Sequence, residues 1–243
     1  MSLGTAVVTG ASSGIGMATA RCLSAEGFDV VVGARRGERL QRLADELGAR
    51  AMRLDVTDPA SVDQFASSVP GCRVLVNAAG GAIGRDRIED ASDQDWQWMY
   101  EVNVMGSLRM TRALLPALEA SGEGHVVMIG SIAGYEPYIG GGGYNAAKFA
   151  VRAMTRALRL ELLGRPIRVT EIAPGMVKTE FSLVRLGGDE RGAEAVYEGM
   201  TPLTAEDVAE CIAFSVTRPS HVNIDTLVVL ARDQSGAVTV HRR

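Results

Sequence analysis

The chain has 243 residues, 25 Lys and Arg against 29 Asp and Glu for a net charge of −4, 47% hydrophobic residues and 28 glycines. With no basic excess, nucleic acid is not an expected partner, and so high an apolar fraction at so small a net charge excludes a disordered chain. The length suits one α/β domain with a sizeable core, and glycine above the usual ~7% requires tight or closely approached backbone.

From the N-terminus, residues 1–20 carry no charged side chain. Gly4, Gly10, Gly14 and Gly16, around an apolar core of only Ala6, Val7 and Val8, fit neither a signal peptide nor a membrane span. No later segment approaches the ~20 apolar residues a span needs. The expectation is a cytoplasmic protein with no membrane partner. Val-rich runs follow at 6–9, 30–32, 51–54, 74–76, 126–129, 167–172 and 227–230. Between them lie helical patterns: one over 16–26 after Ser13, one with Pro59 in its first turn after Asp58, and others capped by Ser92 and Thr204. Continuous apolar strands alternating with helices predict a single-domain, Rossmann-like, doubly wound seven-stranded parallel sheet with helices on both faces. Residues 177–199, charged and Gly-containing, predict an irregular substrate loop. Cys22, Cys72 and Cys211 are too scattered for a disulfide framework, and with His125, His221 and His241 equally dispersed no metal site is expected.

The first strand runs into Gly10-Ala11-Ser12-Ser13-Gly14-Ile15-Gly16 and then a helix. Glycine serves where the chain turns sharply and where pyrophosphate approaches the backbone, and the helix N-terminus offers unpaired N–H donors to that anion. A coenzyme that carries a 2′-phosphate is expected to meet cations about 20 residues on, and this chain has Arg35-Arg36 there with no acid. A solvated helix start is the bland alternative, but cations oppose the dipole at a helix N-terminus. NADP(H) is therefore expected over NAD(H).

Tyr144 and Lys148 lie four apart, which places both on one helix face. A free tyrosine has a pKa near 10, and a neighbouring ammonium together with the nicotinamide charge is expected to lower it. Such a phenol exchanges a proton with an alcohol or carbonyl oxygen near neutral pH, and Ser131, ending the fifth strand, is placed to bond the same oxygen. Tyr-x-x-x-Lys alone is weak. Here it stands in order with the glycine turn, Asn77-Ala78-Ala79-Gly80, Asn103, Ser131, and Pro174-Gly175-Met176-Val177-Lys178-Thr179.

These signals together resemble the short-chain dehydrogenase/reductase family over residues 3–230. The resemblance implies Asn103 holding a water that links Lys148 to solvent, Ser131 orienting the carbonyl, Tyr144 as acid/base, and Lys148 tuning Tyr144 while holding the nicotinamide ribose. It implies coenzyme contacts from Gly10, Ser12, Ser13, Gly14, Ile15 and Gly16, and adenine contacts from Asp55 and Val56. Asn77 through Ala78 and Ala79 to Gly80 would edge the ribose, and Pro174, Gly175, Val177 and Thr179 the carboxamide. Ala78 departs from the family's usual second Asn. Gly140 to Gly143, directly before Tyr144, are a second departure, read as a tight bend under the site rather than a mobile gate.

Residues 179–189 and 220–227, with Pro137-Tyr138 and the ending Val240-His241-Arg242-Arg243, are similar to the NADP-dependent 3-hydroxy acid dehydrogenases, including the serine dehydrogenase type. The implied substrates are short 3-hydroxy acids such as serine or 3-hydroxypropionate. Met176 and Phe181 are candidate substrate contacts, and Arg185 is the candidate cation for the carboxylate, with a solvated loop arginine as its alternative. Rival activities are reduction of other ketones or 3-oxoacyl thioesters, and, in another class, a non-catalytic NADP(H) sensor. Apolar residues on several faces of the helices around 96–118 and 144–163 predict a homotetramer.

Overall fold

The structure is a computed structural model that describes residues 2–243. Seven strands form one parallel sheet: β1 (Thr5–Thr9), β2 (Asp29–Ala34), β3 (Arg50–Arg53), β4 (Val74–Asn77), β5 (Gly124–Ile129), β6 (Ile167–Pro174) and β7 (Thr226–Val229). All seven expected strands are present, in the order β3-β2-β1-β4-β5-β6-β7. Residues on both strand parities are apolar, as a sheet covered on both faces requires. Ala6 and Val8 of β1 join one core with Leu23, Leu40, Val208 and Ile212, whereas Val7 joins the other with Phe65, Leu114, Leu118 and Val151.

The first face is covered by α1 (Gly14–Ala25), α2 (Gly37–Leu47) and α9 (Ala205–Val216). The second is covered by α3 (Pro59–Ser68), α5 (Gly106–Ala120) and α6 (Gly142–Glu161), with α4 (Asp93–Tyr100) packed beside α6. Three of the expected start signals hold as side-chain caps. Asp58 accepts from the Ala60 N–H with Pro59 in the first turn, Ser92 accepts from Asp95, and Thr204 forms a reciprocal capping box with Asp207. Between α4 and α5 the helix widens into a π-helical turn, Glu101–Met105, which holds Asn103.

The expected irregular segment is a correction. Within it lie two short helices, α7 (Phe181–Arg185) and α8 (Glu190–Ala195), the latter capped by the Asp189 side chain, while the rest is largely turns and bends. Strand order reverses between β1 and β4, so the loops at their carboxyl ends diverge and leave a crevice there.

Candidate active site

A cavity of about 470 Å3 occupies that crevice. At its coenzyme end two turns meet backbone to backbone. Gly10 has φ +67, and a β-carbon on it would lie 2.8 Å from the Ala78 carbonyl oxygen and from the Ala79 nitrogen, so only glycine fits. The Thr9 hydroxyl accepts from the Ala78 and Ala79 N–H groups, both at 3.0 Å, and locks the turns together without the side chain that Ala78 lacks. Gly10, Ser12, Ser13, Gly14, Ile15 and Gly16 line the cavity, as do Arg35, Arg36, Asp55, Val56, Ala78, Ala79 and Gly80.

Helix α1 opens here with Ser13 as its N-cap, but the Ser13 side chain makes no capping bond among the described residues. Its oxygen instead takes a hydrogen bond from Arg36 Nη2, while Arg36 Nε donates to Ser12 Oγ at 3.0 Å. The N–H groups of α1 thus point at the cavity, where an anion finds donors and a favourable dipole. Burial raises the Asp55 carboxyl, but hydrogen bonds from Thr57 and the charges of Arg35 and Arg53 outweigh it and hold the group below the usual carboxylate range. Two hydroxyls and two guanidinium groups beside a glycine turn fit a dinucleotide that carries an extra phosphate.

Asn77 is a correction. Its side chain lies in the core under α5, donating to Thr111 Oγ1 at 3.1 Å and to Met128 Sδ at 3.3 Å, and Asn77 does not line the cavity. As the last residue of β4 it still obeys the strand's alternation, which turns it to the α5 face.

At the other end lie Ser131, Tyr144 and Lys148, together with Pro174, Gly175, Met176, Val177 and Thr179. Ser131 follows β5, and its Oγ accepts from the Ala133 N–H at 3.1 Å. Lys148 Nζ sits 5.7 Å from the centre of the Tyr144 ring and donates to the Ile129 carbonyl at 2.8 Å. Burial pulls Lys148 down to about 8, against the opposing charge of Glu171. For Tyr144 the chain's own groups act against the expected lowering, which counted the nicotinamide charge as well. Burial raises the phenol well above its ordinary value, and the Ser131 hydroxyl and the Arg185 charge offset that only in part.

Asn103 lies outside the cavity lining. Its amide donates to the carbonyls of Gly81 (2.8 Å) and Met99 (2.7 Å) and its oxygen accepts from the Gly81 N–H. A β-carbon on Gly80 would lie 2.6 Å from Asn103 Oδ1 and 3.9 Å from Lys148 Nζ, so Asn103 approaches the lysine across one glycine.

Helix α7 roofs the substrate end. The Phe181 ring centre lies 5.4 Å from that of Tyr144. Arg185, expected in a loop, is in the helix and buried. It donates through Nε to Gly84 O (2.9 Å), through Nη1 to the Tyr138 hydroxyl (2.7 Å) and through Nη2 to Gly140 O (3.0 Å). No ion pair among the described residues includes it. The glycine run divides in two: Gly140 and Gly141 bend the chain, and Gly142 and Gly143 open α6. A β-carbon on Gly140 would meet Arg85 O at 2.5 Å, and one on Gly142 would meet the Trp96 ring at 2.8 Å.

Arg85, Trp98, Gln234, Ala237 and Val238, which no sequence motif marks, also line the cavity. Gln234 Oε1 accepts from the Met176 N–H at 2.9 Å, and the Glu136 carboxylate accepts from Ala237 N–H at 2.9 Å, so the C-terminal tail is bound to the site. Tyr135 lies outside the cavity lining and donates to buried Glu171 at 3.0 Å, while Tyr138 lines the cavity.

Residues 4–185 match the short chain dehydrogenase family. The chain is similar to an uncharacterized oxidoreductase of Mycobacterium tuberculosis, 58% identical over 232 residues, covering 96% of this chain and 92% of that protein. It is 43% identical over 245 residues to an NADP-dependent 3-hydroxy acid dehydrogenase of Escherichia coli strain K12, covering 98% and 99% of the two. The closed form of a serine dehydrogenase complexed with NADP+ superposes with a TM-score of 0.93 at 42% identity, covering 98% of this chain and all of that one.

Proposed function

The chain belongs to the short-chain dehydrogenase family and is an oxidoreductase, and from that premise we propose that it interconverts the hydroxyl and carbonyl forms of a short 3-hydroxy acid, such as serine or 3-hydroxypropionate, with NADP(H). The observation that carries the substrate reading is Arg185. A guanidinium has five N–H donors, and the three bonds it makes leave a hydrogen on each terminal nitrogen. Its carbon lies 5.8 Å from the Tyr144 ring centre. A buried cation without a carboxylate partner is costly, and a substrate carboxylate would neutralise it beside the acid/base group.

In this reading NADP(H), held by the glycine turn, the α1 N-terminus, Arg35 and Arg36, supplies or accepts the hydride. Ser131 Oγ and the Tyr144 phenol bond the reacting oxygen, and Tyr144 gives it a proton in reduction or takes one in oxidation. Lys148 contributes positive charge that favours the phenolate and a donor for the nicotinamide ribose. Asn103 fixes the Gly80–Gly81 backbone against which Lys148 lies.

Arg185→Gln tests the substrate assignment. Removing one partner of a buried charge pair costs ~2 to 5 kcal/mol, so kcat/KM for a 3-hydroxy acid should fall by about 30-fold or more, with a much smaller loss for an uncharged alcohol of similar size. Equal losses would remove Arg185 from carboxylate recognition. A second reading, reduction of larger ketones or 3-oxoacyl thioesters, draws support from Val184 and Val238, both more than half exposed at the cavity. A substrate panel that includes both classes separates the two.

We also propose a homotetramer. Supporting it, α4, α5 and α6 expose Tyr100, Leu108 and Phe149. No helix among the described residues is long and apolar enough to cross a membrane.

A further inference from the structure

Arg36 is shared between the two halves of the cavity. Its Nε and Nη2 hold the Ser12 and Ser13 hydroxyls of the glycine turn, while Nη1 donates to Glu180 Oε2 at 2.8 Å. The other Glu180 oxygen accepts from Arg39 Nη1 at 2.6 Å. Glu180 follows Thr179 and immediately precedes α7, so this carboxylate, 144 residues from Arg36, reaches from the substrate roof to the start of α2. Both arginines hold the Glu180 carboxyl below the usual carboxylate range, and it stays ionised at neutral pH.

We propose that Glu180 competes with the coenzyme 2′-phosphate for the Arg36 guanidinium and so sets the affinity and selectivity for NADP(H). The proposal rests on the coenzyme reading above. A phosphate bonded to Arg36 beside Ser12 and Ser13 lies next to the N–H that Glu180 holds and shares the guanidinium with it, and two anions so close repel each other. Some four-tenths of each side chain in the Arg36–Glu180 pair is exposed, so the pair is weak, and a phosphate of charge about −1.5 to −2 displaces it. Displacement still has a cost: the apparent dissociation constant is the intrinsic one divided by the fraction of molecules in which Arg36 is free. NAD(H) has no 2′-phosphate and escapes this competition.

The test is titration of NADP+, NAD+ and 2′,5′-ADP into wild type, Glu180→Gln and Glu180→Asp, followed by calorimetry. Glu180→Gln should bind NADP+ and 2′,5′-ADP about three- to tenfold more tightly, the range expected for loss of two exposed ion pairs, with NAD+ unchanged within about twofold. Glu180→Asp, which keeps the charge but draws it back, should gain less in the same direction, and it carries the test if the Gln variant does not fold. Unchanged or weaker NADP+ binding, or an equal gain for NAD+, overturns the proposal. Wild type that binds NADP+ no better than NAD+ is a different failure: it removes the coenzyme reading itself, and Glu180 then has nothing to compete with.

Discussion

The Lys148 ammonium nitrogen lies 5.7 Å from the centre of the Tyr144 ring, yet its hydrogen bond goes to the Ile129 carbonyl on the neighbouring strand. The lysine charge thus meets the tyrosine ring across a short gap, and the lysine is anchored by β5. Anchoring places a cation in a poorly hydrated site, which is why its pKa falls to about 8 from 10.5.

That shift has a consequence for stability. Above the ordinary lysine pKa the group is neutral in both folded and unfolded chains. As pH falls from there through about 8, the folded chain must carry a buried ammonium, and stability is lost. Lys148→Met should therefore be more stable than wild type at pH 6 by roughly 2 kcal/mol, after allowing for the unpaired Ile129 carbonyl, and less stable by about 1 kcal/mol at pH 11, where only the lost carbonyl bond counts. Urea denaturation at the two pH values checks this, and a pH-independent difference contradicts it.

Tyr144→Phe should lower kcat about 100-fold or more, because proton transfer loses its donor and acceptor. NADPH affinity should stay within about threefold, since other groups hold the coenzyme, and fluorescence titration reads it directly. Retention of more than about a tenth of the wild-type rate removes the acid/base assignment.

Replacing both Arg35 and Arg36 with Gln should weaken NADP+ binding about tenfold or more through loss of charge-assisted hydrogen bonds, while NAD+ binding changes little. Because Arg36 is partly exposed, the wild-type preference should also shrink with added salt. Parallel losses for both coenzymes would mean that these arginines support the fold instead.

Gly140→Ala should destabilise the chain by about 1 to 3 kcal/mol, because a side chain is strained at φ +72 and its β-carbon would press on Arg85 O. The Gly140 carbonyl also holds Arg185 Nη2, so the same variant should raise KM for a 3-hydroxy acid more than it lowers kcat. Thermal melting and steady-state kinetics measure the two effects.

If Tyr100, Leu108 and Phe149 are covered by further copies, sedimentation at micromolar concentration should give a tetramer, and Phe149→Glu a smaller species. A stable wild-type monomer ends that proposal.

How much of this is readable without coordinates follows from the range of the interactions involved. The strands were legible because a parallel sheet buried on both faces must be written as short apolar runs. The glycine turn was legible because positive φ and backbone approach leave glycine alone at Gly10, and the Tyr144–Lys148 pair because a helix sets four-residue neighbours on one face. These constraints are local, and the sequence by itself determined them. It could not tell which face of β4 Asn77 would take, since both faces are apolar. Nor could it tell that Gln234 would reach Met176 or that Glu180 would reach Arg36, contacts that loop closure over 58 and 144 residues creates. The direction of the Tyr144 shift was decided the same way: neighbouring charge can be read from spacing, but desolvation depends on everything packed around the phenol, and only the tertiary structure specifies that.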